Sequence, residues 1–307
     1  MPDKNDAAER EIQEVLSHTP DEAQQIDQIA KIRNYLRPKD TSNVYPLVQE
    51  YINEKANLDV VIEKITKPID DEVAKTGNWE EEVDWWDFWY SVLHSARRIS
   101  FRTDEGHKKL VDLVKAYKEH PEPTHQGEQG IYERLLYLGI ASREFLDNAP
   151  GLMAGYTTPE LHAFTNLHCL FAHLTREGVR EYWIYCIWAM RDALEDQLED
   201  DKPEYRKDIS GTAIQKYNAF VPAAAVWVLV LGKALYEREE DRTPTDSNQG
   251  NPARGGYYWK GKAEFSKARW ELWKQRFGRI CEMKELSEET RQIAKETVAR
   301  MEESENA

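Results

Sequence analysis

Residues Ala219–Gly232, AFVPAAAVWVLVLG, run for fourteen positions without a charged or polar side chain. At 100° per residue the apolar groups make no single stripe. Val221, Ala225 and Val228 share one face, Val226 and Leu229 a second, and Trp227 and Ala234 a third. A helix that is apolar all round must be surrounded by protein or by lipid. A bilayer span needs about 18 or more such residues, so fourteen predicts a buried core helix over 218–237. Asn218 is placed to cap its start, Lys233 and Glu237 to close it, and Pro222 is tolerable near a first turn.

Outward from this stretch, further helices follow with no competing strand signal. Residues 1–18 read as an amphipathic helix anchored by Ile12, Val15 and Leu16. Thr19, Pro20 and Glu22 suggest a capping box that opens a helix to about Arg37, before Pro38. Val44–Lys55 and Leu58–Ala74 are helical patterns, the second capped by Asn57 and bent or broken near Pro68. Trp79–Ser100 puts Trp85, Trp89, Val92, Ala96 and Ile99 on an apolar face. Asp87, Ser91, His94 and Arg98 fall on the opposite face, which is expected to be solvated. Thr103 opens a helix to about His120, 125–130 is a loop, and Ile131–Asn148 is helical.

Thr158–Glu177 ends at Gly178, and Arg180–Asp200 follows as its antiparallel partner. Residues 238–262 make the longest loop, and Ser266 and Ser287 cap two last helices to about Glu282 and Glu302. The expected fold is all-α. It is a single domain of about eleven or twelve helices over 44–303, packed around the central helix with no sheet, and residues 1–43 are peripheral. The helices at 84–100, 180–200 and 266–282 are expected to lay their tryptophans on the central one.

Lys plus Arg number 41 against 56 Asp plus Glu, a formal net charge of −15. That balance repels phosphate backbones and anionic lipid, so neither nucleic acid nor membrane is an expected partner. Cys169, Cys186 and Cys281 are odd in number and form no CxxC pair, which fits reduced thiols in the cytosol or nucleus. The first residues, MPDKNDAAEREIQ, lack the apolar region of a secretory signal. Cytoplasmic localisation is the expectation.

Three constellations are candidates for chemistry. His162, Asn166, Cys169 and His173 are spaced 4, 3 and 4 along one helix face, and His162, Cys169 and His173 are conceivable metal ligands. The same stripe is also what remains opposite Leu161, Phe164, Leu167, Leu170, Phe171 and Leu174, a polar face with no metal. Arg97 shares a helical row with Trp86, Arg191 falls beside Trp188, and Arg269 and Arg276 flank Trp273. A guanidinium on an apolar face needs a carboxylate, an aromatic face or an anionic ligand. Asp84, Asp87, Asp192, Glu195 and Glu264 are internal partners for such pairs. The other reading is a cleft where Arg97, Arg191 and Arg276 hold a carboxylate or phosphate. The third set, Asp87 with His94, is two turns apart, too far for a direct acid–base pair on one helix. The loop Arg254–Lys262, RGGYYWKGK, is expected to fold Trp259 onto the core, its glycines making tight turns. A partner-binding role for it stays open.

Several clusters together resemble a fungal protein family characterised only as a domain of unknown function. They are Trp86-Asp-Phe-Trp-Tyr90 with Ala96-Arg97, Asn166-Leu167 with Phe171 and Leu174-Thr175, and Arg191-Asp-Ala-Leu-Glu195. Ala224-Ala-Val-Trp227 with Gly232, Trp259-Lys-Gly261, and Phe265-Ser266 with Arg269-Trp270, Trp273 and Arg276-Phe277 complete the series. The resemblance covers about 44–303. It implies a helical intracellular fungal protein and brings no activity or catalytic residues. One departure is His168, where the family pattern has Asn.

No P-loop, dinucleotide-binding glycine motif, HExxH or nucleophile elbow occurs, and nothing calls for a cofactor. The expected function is therefore a non-catalytic helical protein that binds a protein partner or a small ligand. The alternative is an enzyme or accessory protein acting on a small anionic metabolite, in fungal secondary metabolism.

Overall fold

The computed structural model describes residues 4–76, 83–123, 130–200, 209–246, 248 and 250–307. It divides into two compact units, 1–149 and 150–307, at the break made by Pro150 and Gly151. The first holds α1 (Lys4–His18), α2 (Glu22–Ile32), α3 (Val44–Ile52), α4 (Leu58–Thr76), α5 (Trp85–Arg98), α6 (Asp104–Lys118) and α7 (Leu138–Leu146). The second holds α8 (Thr158–Arg176), α9 (Trp183–Met190) and a π-helical turn (Arg191–Glu195). It continues with α10 (Ala213–Leu231), α11 (Lys233–Tyr236), β1 (Glu240–Asp241), β2 (Glu264–Phe265), α12 (Lys267–Cys281) and α13 (Glu288–Asn306). The all-α class stands, with thirteen α-helices among the described residues. The one sheet there is a two-residue antiparallel pair, Glu240 with Phe265 and Asp241 with Glu264, where none was expected. The predicted loop at 125–130 lies mostly outside the described residues.

In the first unit, Ile12 and Val15 of α1 bury against Ile29, with Leu16 and Ile32 packed alongside, as the periodicity predicts. Residues 1–43 thus share a unit with the helices that follow them. α2 is capped by Asp21, whose Oδ1 accepts from Gln24 N at 2.8 Å, two residues later than the predicted cap. It stops at Ile32 rather than Arg37, because Asn34 turns left-handed (φ 56°). The Asn34 and Tyr35 N–H groups then close on the carbonyls of Lys31 and Ala30, a Schellman ending that Asn tolerates. α4 is capped by Asn57, as expected, and runs through Pro68 unbroken.

α5 is the centre of this unit. Trp89, Leu93 and Ala96 are fully buried, and Trp89 donates its indole N–H to Leu136 O at 2.6 Å. Phe88 stacks on Tyr117 at 4.4 Å. The start predicted at Trp79 lies outside the described residues. The face expected to be solvated is instead covered: Ser91 and His94 are buried. His94 Nε2 and Arg98 Nε both meet Asp27 Oδ1 at 2.9 Å, and Arg98 also reaches Gln49. Polar residues on this face pair with polar residues of α2 and α3, which a single helical wheel cannot show. The helix predicted over 131–148 begins only at Leu138. Leu135 and Tyr137 adopt left-handed backbone (φ 51° and 63°), and the Glu122 carboxylate accepts the N–H groups of Ile131, Tyr132 and Glu133.

The second unit is built on α10. Val221, Ala224, Ala225, Trp227 and Val228 are all fully buried, as expected for a helix apolar all round. It starts and ends earlier than the predicted 218–237, running from Ala213 to Leu231. Thr212 and Gln215 form its capping box, so Pro222 stands in mid-helix and not in a first turn. Asn218 is not the cap; its side-chain oxygen accepts from Ser287 N at 3.1 Å, tying α10 to the start of α13. Gly232 (φ 47°) ends the helix, and the separate turn α11 follows. At nineteen residues α10 is long and apolar enough to cross a membrane, yet most of it is buried inside this unit. Its main neighbours are α8 and α13, with α9 beside them; α12 packs mainly on α13. α5, expected to lay tryptophans on this helix, belongs to the first unit.

Trp227 donates its indole N–H to His168 Nδ1 at 3.1 Å. His168 therefore supplies a buried acceptor for this indole. Burial pushes the His168 pKa from 6.5 down to about 3. A folded-state pKa below the unfolded value means that the unfolded chain binds a proton the folded chain refuses. The stability from this group is thus full above pH 6.5 and falls as the pH drops towards 3. We expect His168 alone to remove about 2 kcal/mol between pH 7.5 and pH 5. His168→Asn should flatten that slope in urea titrations at the two pH values; an unchanged slope would place the titration elsewhere.

Candidate functional site

α9 does not continue to Asp200 as an α-helix. At Arg191–Glu195 it widens into a π-turn, closed by Asp196 N to Arg191 O at 2.8 Å. The extra residue per turn rotates Glu195 into the interior, where it is fully buried. Its Oε1 accepts from Arg269 Nε at 2.7 Å and Trp273 Nε1 at 2.7 Å. Its Oε2 accepts from Arg269 Nη2 at 3.0 Å and Gly256 N at 3.0 Å. The remaining Arg269 N–H groups go to Glu264 O at 2.8 Å, Ala253 O at 3.2 Å and Arg254 O at 3.4 Å. A guanidinium has five N–H donors and a carboxylate about four acceptor sites, so this pair is saturated.

The other residues of the predicted cluster gather round it. Arg276, on the same helix as Arg269, donates to Leu194 O at 3.0 Å and to Tyr217 Oη at 3.3 Å, and lies over the Tyr258 ring at 4.2 Å. Arg191 Nη1 and Trp188 Nε1 both donate to Pro252 O, at 3.1 and 2.8 Å. Arg191, Arg269, Arg276, Trp188 and Trp273 therefore come together in the second unit. Arg97 and Trp86 belong to the first. Arg97 is buried there over the Phe145 ring at 4.2 Å and donates to Phe145 O at 2.9 Å and Leu36 O at 3.2 Å. Burial lowers its pKa to about 9. Trp86 packs against Tyr90 and Tyr137, each at 5.7 Å.

What the second-unit cluster holds is a loop, 251–262. From beneath, Pro252, Ala253, Arg254 and Gly256 are tied as above, and Tyr258 N donates to Glu195 O at 2.7 Å. Gly256 presses on the Glu195 backbone so closely that a Cβ would lie 2.5 Å from Asp196 Oδ1. Trp259 does fold back, but only to half-burial, donating to Lys262 O and covering Gly261, where a Cβ would meet the indole at 2.4 Å. The glycines at 255, 256 and 261, expected to make tight turns, serve close approach.

The free side of this loop borders a cavity of about 340 Å³. Ile209 and Phe220 give it apolar wall, Tyr257 an aromatic one, and Lys216, Arg254 and Lys260 are its cations. Lys216 is buried and donates to Glu199 O at 3.0 Å. Arg254 and Lys260 are exposed and have no ion-pair partner among the described residues; Lys260 lies 5.3 Å from the Tyr257 ring. Asp196, Glu199 and Asp200 line the cavity too. Asp200 Oδ1 accepts from Ala213 N at 2.7 Å, and Glu199 Oε1 from Gln197 at 2.6 Å. These cavity residues were not singled out as binding residues in the sequence. The one signal was the mixture of cations and aromatics in RGGYYWKGK.

The metal candidates sit on α8. His162 Nε2 meets Glu289 Oε2 at 3.0 Å, while Cys169 and His173 are buried. The stripe read as a polar face is thus inside the unit, because α8 is covered on every side from Phe164 to Thr175. Among the described residues no three His, Cys, Asp or Glu side chains are grouped to hold a metal ion.

A family model described as "Protein of unknown function (DUF3632)" matches residues 89–277. The chain belongs to this family. The DUF3632 match lies within the 44–303 expected from the residue clusters. It contains the π-turn, Arg269, Trp273 and the cavity lining. No curated relative and no solved structure matches the chain.

Proposed function

We propose that this DUF3632 protein is a non-catalytic intracellular binding protein that takes a small anionic molecule in the cavity beside loop 251–262. The observation that carries this reading is the pair of exposed cations, Arg254 and Lys260, without an ion-pair partner among the described residues, lining a 340 Å³ cavity in a chain of net charge −15. That volume lies within the range that small-molecule sites occupy. Elsewhere in the second unit the predicted arginines are already committed: Arg269 and Arg276 spend their donors on internal acceptors. Among the described residues the lining includes no His, Cys or Ser to act as nucleophile, which supports binding over catalysis. The free thiols of Cys169, Cys186 and Cys281 support a reducing compartment. Fungal origin enters through the resemblance alone.

A thermal-shift screen of small organic anions, with matched amines as controls, tests the reading. We expect anions to raise the melting temperature of the native chain and the gain to vanish in Arg254→Ala/Lys260→Ala. Stabilisation by the amines, or by anions equally in the double variant, would refute it.

A further inference from the structure

We infer that the ligand of this cavity is an apolar monocarboxylate, carrying one negative charge at one end and an aromatic or aliphatic body. The inference rests on the anion-binding reading above and deepens it. Arg254 and Lys260 are exposed, so a charged group held by them stays at the mouth, within reach of water. Tyr257 is 48 % exposed, and together with Ile209 it offers the ligand's body an apolar surface, with Phe220 behind them. The guanidinium of Arg254 is suited to a planar carboxylate through paired N–H donors.

The number of charges follows from the acidic part of the lining. Among the described residues, Asp196, Glu199 and Asp200 line the cavity with three cations, so these six charges balance. Asp200 and Glu199 already accept internal hydrogen bonds, which hold their carboxylates in place. A first negative charge meets Arg254 and Lys260; a second must face this acidic wall, and like charges in a partly desolvated site repel strongly. A phosphate monoester carries about −1.5 to −2 at neutral pH, so it is disfavoured against a carboxylate of similar shape. A ligand amine gains little, because the mouth it must pass is cationic.

Isothermal titration of the full-length protein at pH 8 with 3-phenylpropanoate, phenyl phosphate, 2-phenylethylamine and L-phenylalanine decides the matter. We expect 3-phenylpropanoate to bind at least tenfold more tightly than each of the others, and about tenfold more weakly to Arg254→Ala. Asp196→Asn/Glu199→Gln should narrow the gap to phenyl phosphate, with a thermal melt confirming that the variant is folded. If phenyl phosphate binds as well as 3-phenylpropanoate, the single-charge inference falls and the anion site stands. Equal binding of L-phenylalanine would likewise overturn it in favour of a zwitterion. Failure of every anion to bind, or preference for the amine, overturns both this inference and the proposed function.

Discussion

Glu195→Ala is expected to destabilise the protein by about 3–5 kcal/mol, the cost of stranding a buried charge whose partner has been removed. Arg269 is fully buried and would lose its bidentate carboxylate, while Trp273 and Gly256 would lose the acceptor for their N–H groups. The reciprocal change, Arg269→Met, strands Glu195 in the same way and belongs in the same range. Because each single change removes one interaction, the double variant Glu195→Leu/Arg269→Met should lose well under the sum of the two. Urea denaturation of the three variants gives the cycle. Additive losses would show that the pair does not act as a unit. The consequence extends to the cavity: loop 251–262 is fastened through Glu195, Arg269 and Arg276, so the rim cations Arg254 and Lys260 depend on residues that do not line the cavity.

Trp227→Ala is expected to cost about 3–5 kcal/mol by the same measurement. The indole is fully buried in α10, and its loss leaves both a void and a His168 Nδ1 without its donor. Trp227→Phe keeps most of the volume and isolates the hydrogen bond, for which about 1–3 kcal/mol is the usual cost of an unsatisfied buried group. A loss below 1 kcal/mol for Trp227→Ala would mean that the core of the second unit is not where α10 puts it.

Much of this was legible along the chain. The all-round apolarity of Ala219–Val228 implied a helix enclosed by protein, and it is enclosed. The anchors Ile12 and Val15, the caps Asn57, Ser266 and Ser287, and the break at Gly178 follow from local chemistry that needs no partner. The pairing of Arg269 with an internal carboxylate was also foreseeable, since an arginine on an apolar face needs a partner, and Glu195 was among those at hand. Two of the errors share one cause. Asp87, Ser91, His94 and Arg98 read as a solvated face because a helical wheel places polar groups opposite apolar ones. It cannot see Asp27 and Gln49 arriving from α2 and α3 to satisfy them. The stripe on α8 was misread for the same reason.

By itself, then, the sequence determined the all-α class, the identity of the buried central helix and the need of its arginines for partners. These depend on residue type and on the 3.6-residue repeat, both of which are local. Only the tertiary structure decided that Glu195 is the carboxylate that meets Arg269, that a π-turn aims it inward, and that Arg254 and Lys260 line a cavity without an ion-pair partner among the described residues. Those outcomes depend on contacts between residues such as Glu195 and Arg269, 74 positions apart, whose meeting is set by packing and not by spacing along the chain.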